Sequence, residues 1–495
     1  MKARMMVETK LIMIKVTHWQ SMDDLRRVYK YSLGEPREPF GLRCLLGSGD
    51  DTSLLVRVLQ NELGLPRFEK VFAFFTIDAA VRRRQQICIY IAWTLEDQYS
   101  KYMVLSSLLS FECGGGCSLR ASLWRCSIAQ FGVEDYMVEP FLEGMNLVEA
   151  MQRNRIFMTD IAIVEGVPLM TKETLWGSMA LFFLNKRNDL MPIAIQLRQQ
   201  KGVDNPVFLP SDPPFTWIAA KMYYNNSDAS YHQSCSHLGF THLLMEGVTV
   251  CTHRNLSPSH PLFKLMAPHF LFLIAINSRG ISKLVSPGGW VDKTLAVGVK
   301  GMFEIIRRGL EVWRLDQHGN PEKDIESRGV RSRLTALRLP TYFFFNPSYP
   351  FPHVAPLGVV NYYYDTPEKL KNDYELQQWR DELVKERHLT GVGLKASDEH
   401  GQFTDVEQVI DTVTAIIQQC SVGHAAANFQ QYEEYAFPPN YPAFLYNGPP
   451  TDKTSVRFFD DLQNRHGSGF LSPLCSTAAD DKALRPPRRD ISAAF

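Results

Sequence analysis

No stretch of this chain is uniformly apolar for long. The longest such runs, ICIYIAW at 87–93 and FLFLIAI at 270–276, fall far short of the roughly 20 residues that cross a bilayer. A signal peptide is not expected either, because the opening MKARMMVETKLIMIKV mixes charge into its short apolar run. Net charge is lacking as well: 53 basic side chains face 53 acidic ones. That balance removes any global reason to expect nucleic-acid binding or long-range steering of a charged substrate, and it suits an apolar ligand. The nine cysteines are scattered and odd in number, which argues against a disulfide framework. Cys113, Cys117 and Cys126 come nearest to a metal spacing, but no second CxxC pair follows them. No internal repeat is present. What remains is a soluble protein of a reducing compartment, with a cytoplasmic location as the expectation.

What the chain does have is material for a large core, since 45% of its residues are hydrophobic. Residues 1–126 form an unassigned N-terminal segment, whose runs VFAFFTI at 71–77 and ICIYIAW at 87–93 read equally as strand or helix. From about 133 onward the apolar spacing is mostly that of helices. The stretches 336–360 and 437–450, rich in Pro, Tyr and Phe, predict irregular structure, and 446–495 predicts an irregular tail. The strongest helix signal runs from 404 to 432. Asp405 stands at its cap position, and Val406, Val409, Ile410, Val413, Ile416 and Ile417 form one stripe.

Six of 13 histidines fall between 232 and 269. His237 and His242 are five apart in the apolar run HLGFTHLLMEG. On a regular α-helix, at roughly 100° per residue, such positions point about 140° apart and cannot share a metal. Either the pair is not a site, or the helix carries a wide i→i+5 turn there. On the later helix, His424 and Asn428 stand at i and i+4 and share a face without distortion, beside the small residues Gly423, Ala425, Ala426 and Ala427. Imidazoles with an amide oxygen are a poor set for structural zinc. By ligand type they suit a redox metal such as iron.

HQSCSHLGFTHLLMEG (232–247) with NLSPSHPLFKLMAPH (255–269) resembles the histidine region of lipoxygenases, and GHAAANFQQY (423–432) resembles their second ligand helix. RIFMTDIAIVEGVP (155–168), PIAIQL (192–197), DNPVFLPSDPPFTWIAAK (204–221) and NYYYDTPEKLKNDYELQQW (361–379) match that family in the same order. The resemblance covers roughly 127–445 and implies a mainly α fold, the helical catalytic domain of a lipoxygenase. It implies one non-haem iron held by His237, His242, His424 and Asn428, with a main-chain carboxylate as the last ligand. Beyond the metal centre no catalytic residue is implied. His232 falls on a family histidine near the site that is not a ligand, and Gln233 on a glutamine that links the ligands to the substrate pocket. Leu238 and Leu284 match leucines that wall the pentadiene. Gly280 falls where the family carries Ala or Gly, and Gly accompanies R products.

The implied activity is that of an oxidoreductase inserting O2 into polyunsaturated fatty acids such as arachidonate and linoleate. Hydrogen is removed from a bis-allylic carbon and O2 adds to the pentadienyl radical, giving a hydroperoxide. The implied partners are the fatty acid and O2, with peripheral membrane contact; neither nucleic acid nor a protein partner is indicated. The chain also departs from the family pattern. Residues 1–126 do not resemble the usual N-terminal β-barrel module. LPTYFFFNPSYPFPHVAPLGVVNYYYD lacks the usual acidic segment, and only 67 residues follow Asn428. The carboxylate of Phe495 or a water is the expected last ligand, although Phe495 is not the family's usual terminal Ile. A truncated, inactive, lipid-binding relative is therefore the alternative expectation. A zinc hydrolase ranks third, because Glu246 is out of HExxH register with His242.

Overall fold

The computed structural model describes residues 112–113, 131–170, 175–187, 190–327, 351–386, 391–395, 401–428, 442, 445 and 448–454. These residues are mainly helical, but they open with a sheet that the sequence reading did not foresee. Strands β1 (Glu112–Cys113), β2 (Ile156–Asp160), β3 (Met179–Leu184) and β4 (Leu190–Gln196) pair antiparallel in the order β1-β2-β3-β4. Phe157 stands opposite Phe182, and a bulge falls between Leu181 and Phe182. The sheet is covered on both faces. Ala180, Phe182 and Leu184 enter the main core, while Met179, Leu181 and Phe183 enter a second one with Val138, Leu142, Leu147 and Ala150. A strand buried on both sides reads as a continuous apolar run rather than an alternation, so MALFFL gave no period-2 signal.

Two long helical runs build the rest. The first begins as α1 (Pro214–Tyr231), passes through a π-helical stretch at His232–Leu243 and continues as α2 (Leu244–Asn255). It is buried on nearly every side, as expected of a helix at the centre of a large domain. Its buried polar groups reach neighbouring backbone: Ser227 Oγ donates to Trp176 O (2.6 Å) and Asn226 Nδ2 to Pro442 O (2.5 Å). Tyr223 OH donates to Gly448 O and Thr216 Oγ1 to Lys453 O. The described residues at 448–454 are thus irregular in backbone yet docked along α1.

Next come α3 (Pro261–Met266), a 3-10 turn at Ala267–Phe270 and α4 (Leu273–Lys283). By length and composition the 23-residue stretch Pro261–Lys283 passes for a membrane span, with a mean hydropathy of 1.3 over an 18-residue window. The 3-10 turn and a left-handed Phe272 (φ 63°) break it, so it is not one straight helix.

Helix α5 (Gly298–Val312) packs on the π-helical stretch. A Cβ added to Gly239 would lie 2.9 Å from Ser234 O and 3.3 Å from Ile306, and one added to Gly309 would lie 2.6 Å from Cys235 Sγ. Glycine on each side of this contact lets the two backbones approach.

Helix α6 (Phe351–Tyr363) corrects the expectation of irregular structure over its part of 336–360. It carries Pro356 internally and lies against the second long run, whose packing overrides the local breaker. Residues 336–350 lie outside the described residues. After α7 (Tyr374–Val384), the second run comprises α8 (Val406–Ile417), a π-helical turn at Gln418–Gly423 and α9 (His424–Asn428). Asp405 caps α8 as expected, accepting the Gln408 amide at 2.9 Å.

Candidate metal centre

The condition set by the five-residue spacing is met. His237 and His242 both lie in the π-helical stretch, where the Leu244 amide bonds back five residues to Gly239 O. The wider turn brings their imidazoles to one face. Thr241 Oγ1 donates to His237 O at 2.6 Å, engaging a carbonyl inside that turn. The second run carries a wide turn too, which the sequence reading missed: the His424 amide bonds to Gln419 O, five residues back, and to Ser421 O.

The two wide turns pack together and place three imidazoles in one buried cluster. Ring nitrogens of His237, His242 and His424 all lie within 4.8 Å of one another. Their ring centroids are 5.0 Å (His237 to His242), 5.4 Å (His237 to His424) and 4.6 Å (His242 to His424) apart. Asn428 is four residues beyond His424, on the same face of α9.

Hydrogen bonding fixes which nitrogens face inward. Asn277, on α4, donates its amide N–H groups to His242 O (3.1 Å) and Glu246 Oε2 (2.7 Å). Its Oδ1 must then face His242 Nδ1, 2.8 Å away, so Nδ1 carries the proton and Nε2 the lone pair. Gln233 Oε1 stands 3.3 Å from His237 Nδ1 and, in this orientation, accepts its proton. The Nε2 atoms of His237 and His242 are 3.2 Å apart. With both Nδ1 atoms protonated these are two facing lone pairs, which repel unless a cation lies between them. His424 Nε2 is buried with no hydrogen-bond partner.

Protonation does not resolve the cluster. Burial first, then the imidazoles of His242, His424 and His232, hold His237 well below the usual histidine range. Burial lowers His242, partly offset by Asn277, and burial with His242 lowers His424 to about 3. Three neutral imidazoles with converging lone pairs are a metal-binding set, and mixed with an amide oxygen they suit iron by ligand type.

The remaining sequence-predicted residues fall as follows. His232 does not join the cluster; its Nε2 stands 2.9 Å from Ala427 O, beside Asn428 in the chain. Leu238 is partly buried against the main core, and Leu284 is buried at the end of α4. Gly280 lies inside α4 with no positive φ, and a methyl there would meet nothing within 4 Å. Neither a turn nor close packing therefore demands glycine at 280. Glu246 accepts from Asn277. Phe495 lies outside the described residues, and so do the side chains of Cys113, Cys117 and Cys126. The residue that sequence reasoning missed is Asn277. Nothing local marks it, since its partner is 35 positions away.

Comparison with known proteins agrees with this architecture. Residues 128–484 match the family model described as Lipoxygenase. Polyunsaturated fatty acid lipoxygenase ALOX8 of Mus musculus is 32% identical over 336 residues, covering 66% of this chain and 48% of its own length. The 12R-type arachidonate 12-lipoxygenase of Mus musculus is 32% identical over 332 residues, 66% of this chain and 46% of its own. Hydroperoxide isomerase ALOXE3 of the same species is 31% identical over 341 residues, 67% and 47% respectively. The chain spans about half the length of these curated relatives. Among solved structures, a calcium-dependent 11R-lipoxygenase is similar with a TM-score of 0.69 at 29% identity, over 78% of this chain and 56% of that one. A coral 8R-lipoxygenase gives 0.65 at 26%, over 80% and 59%. With a family match over most of its length, relatives above 30% identity and the lipoxygenase-type helical fold, the chain belongs to the lipoxygenase family.

Proposed function

We propose that His237, His242, His424 and Asn428 hold a non-haem iron, and that the protein is a dioxygenase of polyunsaturated fatty acids yielding hydroperoxides. The observation that carries this reading is the pair of facing Nε2 atoms, 3.2 Å apart, with a third imidazole nitrogen beside them. Iron, once bound, supplies the one-electron redox step. The chain's own residues do the rest. Asn277 and Gln233 keep the Nδ1 protons of His242 and His237 in place, so that their Nε2 atoms face the metal. Leu238 and Leu284 provide apolar wall for a pentadiene. Gly280 leaves space where a methyl would stand, and we assign it the selection of R stereochemistry. R also appears in the printed names of the 12R-type relative and of the 11R and 8R structural neighbours.

Metal analysis of the purified protein, followed by incubation with arachidonate and linoleate, tests the reading. Iron, conjugated diene and a predominantly R hydroperoxide are expected. Zinc without iron rejects the assignment. Iron without diene favours an inactive lipid-binding protein, and rearrangement of added hydroperoxide favours the isomerase chemistry named for ALOXE3. Purely S product rejects the role given to Gly280.

A further inference from the structure

We propose that His269 is a positioning residue that sets the register of the Gln418–Gly423 wide turn and, through it, the aim of His424. This rests on the metal-centre reading above. His269 lies on the 3-10 turn Ala267–Phe270, which packs against the wide turn. Its Nδ1 stands 2.6 Å from Ser421 Oγ, three residues before His424. The imidazole is no part of the three-histidine cluster, so metal ligation does not account for its partly buried position. Burial lowers its pKa to about 4. At neutral pH the contact is thus a hydrogen bond between a neutral ring and a hydroxyl.

The need for such a tie follows from helix geometry. A π turn is rare and holds one extra residue. If it relaxes to i→i+4 bonding, everything beyond it rotates by about one residue's worth, roughly 100°. His424 would then swing away from His237 and His242. Within this run, Thr414 Oγ1 and Gln418 Oε1 are buried with no hydrogen-bond partner and supply no restraint. Ser421 is held by His269, and on the other side of His424 the carbonyl of Ala427 is held by His232. The ligand is bracketed, three residues before and three after, by imidazoles from other segments.

Co(II) titration of the full chain tests this, read by dissociation constant and by the visible ligand-field spectrum. Amide exchange across 418–424 in the metal-free protein is the second readout. His269→Ala and Ser421→Ala should each weaken Co(II) binding about 10-fold, within the range for lost outer-shell partners. Each should also alter the spectrum and speed exchange in the turn. The double variant should be no worse than either single one, because both remove the same bond. His269→Asn, which can return an amide to the position of Nδ1, should restore most of the affinity. Ser421→Ala removes only a hydroxyl and guards against a folding defect in the histidine variant. Wild-type affinity, spectrum and exchange in His269→Ala overturn the proposal, as do losses that add in the double variant. Failure of the wild-type chain to bind Co(II) overturns the metal-centre reading, and this proposal with it.

Discussion

Asn277 and His242 are 35 positions apart, yet Asn277 Oδ1 lies 2.8 Å from His242 Nδ1 while Asn277 Nδ2 donates to the carbonyl of the same histidine. One side chain on α4 thus holds both the ring and the backbone of a candidate ligand. Its amide cannot flip without placing its oxygen against two acceptors, the His242 carbonyl and the Glu246 carboxylate.

Asn277→Leu should therefore weaken metal binding without moving the three histidines out of the core. A loss of 10- to 100-fold in affinity is expected, the usual effect of removing an outer-shell partner. Competitive titration with a chromophoric chelator measures it, and unchanged affinity would show that His242 keeps its tautomer unaided.

Gly280→Ala should raise stability. The position lies inside α4, has no positive φ and offers open space to a methyl. Alanine in a helix is favoured over glycine by roughly 0.5–1 kcal/mol. Urea denaturation reads that gain, and chiral analysis of the same variant should show the product moving from R toward S. A destabilised variant would mean that Gly280 has a packing role.

Gly309→Ala should do the opposite. The new methyl would sit 2.6 Å from Cys235 Sγ and 3.4 Å from the Phe240 ring, in a contact with no spare volume. Overpacking of this kind costs about 1–3 kcal/mol. Adding Cys235→Ala should recover part of the loss, so that the double variant is less destabilised than the two single losses summed. Denaturant midpoints of the four proteins decide it.

Acid stability should depend on Asp373. Burial by itself would raise this carboxyl, but hydrogen bonds from His260 (3.1 Å), the Leu376 amide (3.0 Å) and the Tyr364 hydroxyl (2.7 Å) outweigh it and hold the pKa at about 2. His260 Nδ1 accepts the Leu262 amide at 3.2 Å, so it is Nε2–H that donates to Asp373. A folded pKa below the unfolded one contributes stability that is complete above about pH 4 and is lost as pH falls through about 2. Denaturant midpoints should fall across that window in the wild type. In Asp373→Asn the fall should be smaller, and an equal fall would assign acid sensitivity to other groups.

The sequence by itself determined what depends on local periodicity and ligand chemistry. The i, i+4 pair His424 and Asn428, the Asp405 cap and the choice between no site and a wide turn at His237 and His242 all follow from residue type and spacing. Tertiary structure decided what depends on partners distant in the chain. The sheet was illegible because both of its faces are buried, which erases alternation. The second wide turn was missed because it lies where apolar spacing looks regular, and its side-chain tie to His269 spans 152 positions. The tautomer of His242 is set by Asn277, a residue that looks like any polar position on an apolar helix. A metal site needs lone pairs aimed at one point; the ligand residues can be named from a line of text, but their aim is fixed only by groups that folding brings beside them.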